Sequence, residues 1–178
     1  PLTFSVDEHG IGHFYGHDLK GSDLAEQIMN RFKLDKKIIR KVVLLVREHM
    51  NVPQTLKRST LKRLINRVGP ENIDALLELQ VADVTRLGKV QDVAILQQVK
   101  LIMNEVLREQ EPMNYRDLAI NGNDLKMLGI KPGKIMGDIL SELLERVIVH
   151  PELNTRESLL NLIAKMEIER EGSNKDER

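Results

Sequence analysis

The sequence contains no cysteine and no tryptophan. Without a thiol there is no disulfide framework, no thiolate zinc site and no cysteine nucleophile. Aromatic residues make up only 3% of the chain, and Phe4, Phe14, Tyr15 and Phe32 crowd its first 32 positions. That pattern argues against a base-stacking platform such as the sheet of an RRM. No apolar run approaches the roughly 20 residues of a membrane helix, and no signal-peptide pattern opens the sequence. The cytoplasm is therefore the expected compartment, with no membrane partner. Walker loops, dinucleotide fingerprints and a Ser-His-Asp order are also missing.

What is present is a chain of 178 residues, 41% hydrophobic, long enough for one globular domain or two small ones. Its net charge of zero hides a segregation. Between Arg31 and Arg67 stand twelve Lys/Arg against two acids, a local charge of +10, so the remaining residues sum to −10. A concentrated basic segment is a footprint for polyanions, nucleic acid first, or else a solvated helix face that keeps the protein soluble.

Helical periodicity recurs along the chain and sustained alternation does not, which predicts an all-α fold. Ser22 is positioned to cap a helix with Leu24, Ala25, Ile28 and Met29 on one face. Asp35 caps the next, to about His49, with Ile38, Val42 and Leu45 inward and Lys37, Arg40 and Lys41 outward. A third opens at Ser59, with Leu61, Leu64, Ile65 and Val68 apolar and Lys62, Arg63 and Arg67 charged. Gly69-Pro70 marks a stop followed by a start. Helices over about 70–87 and 91–110 follow, then a break at Pro112. Beyond it lie shorter elements rich in Asn, Gly and Pro, then helices over about 133–148 and 155–169. The expected organisation is a helical domain over 1–112, a smaller helical subdomain over 113–170 and a frayed tail over 171–178.

Two groups of residues invite chemistry. His9, His13 and His17 are spaced four apart, which on a helix would align three imidazoles, but Gly10, Gly12 and Gly16 lie among them and disfavour that helix. His49 continues the inward stripe of its helix, and Asp83 shares an edge with Leu76, Leu79 and Leu87. Both are either metal ligands or members of a satisfied polar network. The second group is the turn at Gly129–Lys134. A short helix ends at Gly129, Ile130 tucks under, and Pro132-Gly133 begins another helix beside Lys131 and Lys134. Such a helix–hairpin–helix-like turn either brings backbone amides to a phosphate or simply needs its glycines to turn. Asn121, Asn123 and Asp124 are read as caps of the first of these helices, and Asn154 or Thr155 as the cap of the last.

The stretches GHFYGHD at 12–18, VVLLVREHM at 42–50 and Leu-x-Val-Ala-Asp ending at Asp83 resemble successive pieces of an HD domain. Their order resembles the one behind the nucleotidyltransferase head of bacterial CCA-adding tRNA nucleotidyltransferases and their poly(A)-polymerase-like relatives. NGNDLKMLGIKPGKIMGDILSELLERVIVHPELNTRESLL at 121–160 is similar to the RNA-contacting C-terminal region of that family. The resemblance implies an HD-like helical bundle and tRNA or another structured RNA as partner. RNA contacts would come from Lys37, Arg40, Lys41, Lys62, Arg63, Gly129, Lys131, Gly133 and Lys134. It also implies a partial divalent-metal site at His17, His49 and Asp83. The departures matter as much. The His-Asp doublet that names the HD domain is not His17-Asp18, which falls at a later Gly-His-acid position. The Gly-Ser motif and paired carboxylates that hold magnesium in the family's head are absent from this sequence, so nucleotide addition is not expected of it alone. The leading expectation is thus an RNA-binding C-terminal part of such a nucleotidyltransferase. The alternatives are a metal-dependent HD phosphohydrolase acting on nucleotides or cyclic phosphates, and an interaction scaffold.

Overall fold

The computed structural model describes residues 3–10, 12–53, 55–86, 88 and 90–173. The chain is all-α apart from one small hairpin, with eight α-helices among the described residues. The hairpin pairs β1 (Phe4–Val6) with β2 (Gly12–Phe14) antiparallel, Ser5 opposite His13. Strands of three residues are too short to show a period-two pattern, so the sequence reading missed them. His9 sits in the hairpin turn, His13 in β2 and His17 at the start of a helix, so the three imidazoles do not share a helix face.

Helix α1 (His17–Arg31) begins five residues before Ser22, after Gly16 in the left-handed region (φ 68°). Ser22 does not cap it. The hydroxyl is buried inside the helix and donates to the Leu19 carbonyl at 2.7 Å, the usual way a mid-helix serine satisfies itself. Helix α2 (Lys36–Glu48) is capped by Asp35, whose carboxylate accepts from the Lys37 amide at 2.7 Å. Its buried residues are Ile39 and Glu48, the expected inward residues Val42 and Leu45 are half-buried, and Ile38 is 52% exposed. Helix α3 (Arg58–Val68) buries Leu61, Leu64, Ile65 and Val68 as its spacing demands. After Gly69 a short 3-10 turn over Pro70–Asn72 leads into α4 (Ile73–Arg86). The polar residue that α4 buries is Gln80, not Asp83. Gln80 donates to the Glu48 carbonyl at 3.4 Å. Helix α5 (Val90–Arg108) is the longest.

Helix α6 (Gly122–Met127) is held by a reciprocal capping box: the Asn121 side chain accepts from the Asn123 amide, and Asp124 reaches back to the Asn121 amide. Helices α7 (Lys134–Val149) and α8 (Arg156–Ser173) complete the chain. Thr155 caps α8 by accepting from the Ser158 amide, while Asn154 ties the preceding loop to Ala119 and Asp117.

Two compact units emerge. The first comprises residues 1–56 and 67–104, the second 57–66 and 105–178, so the divisions fall just before α3, near its end and inside α5. The second unit has a continuous apolar core running from Leu118 and Ile120 through Leu125, Ile139, Leu143 and Val147 to Leu159 and Ile163. Its C-terminal part starts at residue 105, ahead of the expected break at Pro112, and it also recruits ten residues from far upstream.

Candidate nucleic-acid interface

The basic segment divides into two populations with different surroundings. On α2, Lys36, Lys37, Arg40 and Lys41 are exposed, and among the described residues none of them makes an ion pair. Lys37, Arg40 and Lys41 are three and four residues apart, so they share one side of the helix. On α3 the cations are matched internally. Arg58 reaches Glu105, Glu109 and Glu111, with its Nε 2.8 Å from Glu111. Arg63 Nε lies 2.9 Å from Glu145, and Arg67 Nε 3.0 Å from the buried Glu48. Lys62 overturns its expected role. Its side chain is 1% exposed, paired with Glu111, and donates to the Ile148 carbonyl at 3.1 Å. An ammonium held that way cannot meet a phosphate. It is a packing cation inside the second unit, and Arg63, though exposed, already has its charge met by Glu145. The signal for this was the carboxylate run Glu105, Glu109 and Glu111, which no motif singles out.

Burial pushes the Glu111 carboxyl up, but hydrogen bonds and charge from Lys62 and Arg58 outweigh it and hold Glu111 below the usual carboxylate range. Asp124 is likewise held low, by the Asn121 amide first and by Arg156 second.

At the turn between α6 and α7, Gly129 (φ 85°) is the left-handed residue that closes α6. The Ile130 amide behind it donates to the Leu125 carbonyl at 3.1 Å. Gly133 precedes α7 at φ 146°, a conformation open to glycine and strained for any other residue. Backbone geometry therefore accounts for both glycines. A Cβ at either would meet nothing within 4 Å, so the backbone is open to an approaching group. Lys131 and Lys134 are exposed and unpaired among the described residues.

The metal-site candidates come together only in part. The rings of His17 and His49 meet edge to face, with centroids 5.4 Å apart. His49 Nδ1 lies 2.5 Å from the Val46 carbonyl, a contact that requires the proton on that nitrogen. Asp83 instead faces Arg86 at 3.5 Å. Among the described residues no three His, Cys, Asp or Glu side chains are grouped to hold a metal. Among the described residues no third ligand joins the His17–His49 pair, and no hydrolytic step is assigned to it.

The sequence and structure thus define an all-α chain with an exposed cationic side on α2, Lys37, Arg40 and Lys41, in one unit and a lysine-flanked glycine turn in the other. The chain belongs to the tRNA nucleotidyltransferase domain 2 family, whose pattern matches residues 17–163. It is 28% identical over 154 residues to an A-adding tRNA nucleotidyltransferase of Deinococcus radiodurans. That alignment covers 82% of this chain and 34% of the relative, so the chain spans about a third of the relative's length. No solved structure matches the chain.

Proposed function

We propose that this chain binds tRNA by its phosphates and holds the acceptor end for a nucleotidyl-transferring centre that its own residues do not supply. The observation that carries the reading is the unpaired cationic side of α2, Lys37, Arg40 and Lys41, in a chain whose α3 cations are consumed by carboxylates. Family membership and the relative's name supply the class of RNA. Lys131 and Lys134 at the α6–α7 turn add a second contact region. Recognition rests on backbone shape more than on base sequence, because the A-form major groove is closed to side chains. The His17–His49 pair supports reading the first unit as an HD-type bundle used as scaffold, and a tRNA partner is consistent with a cytoplasmic protein.

Fluorescence anisotropy with tRNA across a salt series tests this. If about four phosphates are neutralised, log K falls against log salt with a slope of about −3 to −4. Replacing Lys37, Arg40 and Lys41 together by Ala flattens the slope by roughly 2 to 3, whereas Lys62→Ala changes stability and leaves the slope alone. A flat salt response of the unaltered protein, or no binding at low salt, overturns the reading.

A further inference from the structure

Helices α1 and α2 pack along each other, with Gly21 close to Val46, yet they bury little. Between His17 and Arg47 the only buried side chains are Ser22 and Ile39. The apolar residues that recur at helical spacing are left in water instead. On α1 these are Leu24, 53% exposed, and Ile28, followed at the C-cap by Phe32, 71% exposed. Leu34 in the connection and Ile38 on α2 are exposed as well. An apolar repeat of three and four residues marks a face built to be covered. These five side chains leave roughly 500 Å² of apolar surface in water, near the upper end of the largest patch on an ordinary monomer. Charge is segregated along the same two helices. The first half of α1 holds Asp18, Asp23 and Glu26 against Lys20. Arg31, Lys33, Lys36 and Lys37 gather at the far end, where the one acid, Asp35, is occupied in capping α2. Among the described residues Glu26 and Arg31 make no ion pair, and Asp23 reaches Arg47 at 3.8 Å across two exposed side chains.

We infer that this face pairs with the same face of a second copy of the chain, α1 against α1 and antiparallel. Centred on the exposed Gln27, such a contact sets Leu24 and Ile28 of the two copies together and brings Asp23 to the partner's Arg31, twice over by symmetry. Each basic end then meets the acidic end of the other copy. A parallel contact would oppose like ends, so charge selects the isologous arrangement. The apolar area together with this polar rim approaches the roughly 800 Å² per partner of a stable specific interface. Its product is a four-helix arrangement, in which two helical pairs share the core that neither has alone. The contact is centred on α1 and uses none of the cations assigned to tRNA, so it stands or falls separately from that reading.

Sedimentation equilibrium of the nuclease-treated chain reads the pairing directly, and a monomer–dimer equilibrium that salt weakens is expected. Leu24→Ser and Ile28→Ser should each raise the dimer Kd at least about tenfold, since each change enters the interface twice. Asp23→Lys alone and Arg31→Glu alone set like charges against each other and should weaken pairing by about tenfold as well. The two together restore opposite charges across the contact and should recover most of the lost affinity. A residue that served only its own helix would show no such recovery. Asp23 and Arg31 are exposed, so the charge variants carry the test if an apolar variant fails to fold. A chain that stays monomeric at every concentration overturns the inference. So does a dimer indifferent to all four substitutions, or one whose double charge variant loses as much as the two single variants combined. A monomer whose Ile28→Ser variant loses binding to phosphatidylserine vesicles overturns it too, and gives the face to a membrane surface instead.

Discussion

At the scale of single residues, Lys62 shows how poorly charge type alone reports a side chain's task. It is 1% exposed, yet Glu111 and the Ile148 carbonyl satisfy it, so its burial is tolerable. Removing one partner is costlier than removing the charge itself. Glu111→Ala is expected to destabilise the protein by about 3 kcal/mol, because it strands a buried ammonium, and Lys62→Met by distinctly less. Urea denaturation of both variants measures the asymmetry, and equal small losses would show that the pair is solvated. Glu111 and Asp124 bind protons more weakly folded than unfolded. The stability they contribute is therefore complete above the ordinary carboxylate range of about 4, and it is lost as pH falls through their lower folded values. Melting temperature should hold steady down to about pH 5 and then drop, with Glu111→Gln removing part of that acid-dependent drop.

At the scale of elements, helix boundaries follow their caps. Asp35, Asn121 and Thr155 each satisfy backbone amides that would otherwise have no partner at a helix start. The box at Asn121 matters most, because α6 has only six residues and cannot persist on propensity. Asn121→Ala is expected to cost about 1 kcal/mol, lowering the melting temperature by a few degrees, with RNA affinity falling through disorder of the adjoining turn. At that turn Gly129 and Gly133 are poor places to probe RNA contact, since any side chain strains the backbone there. Lys131 and Lys134 report contact without that penalty.

At the scale of the whole molecule, residues 57–66 fold with the C-terminal unit although residues 67–104 separate them from its other part along the chain. Leu143, fully buried in the core of that unit, gives access to this cooperativity. Leu143→Ala should cost about 3 kcal/mol. Hydrogen exchange should then show amides of 58–66 losing protection together with α7, while those of α1 and α2 keep theirs. Equal loss in α1 and α2 would mean that the chain unfolds as one unit.

The all-α class, the caps at Asp35, Asn121 and Thr155, the buried stripe of α3 and the glycine turn were all legible in the sequence. Each is decided by groups within about four residues of one another, the range over which capping, turn chemistry and helical periodicity act. The hairpin was not, being too short for its period to register, and neither was the burial of Ile39 with Ile38 left exposed on α2. Only the tertiary structure decided which cations remain available to a polyanion. Lys62 is claimed by a carbonyl 86 residues away and Arg63 by a carboxylate 82 residues away, while among the described residues the side chains of Lys37, Arg40 and Lys41 make no ion pair. It likewise brought His17 to His49 and left Asp83 with Arg86. Sequence sets each charge and each helix face, but pairing depends on which faces meet, and that is settled by packing over distances that local rules do not span.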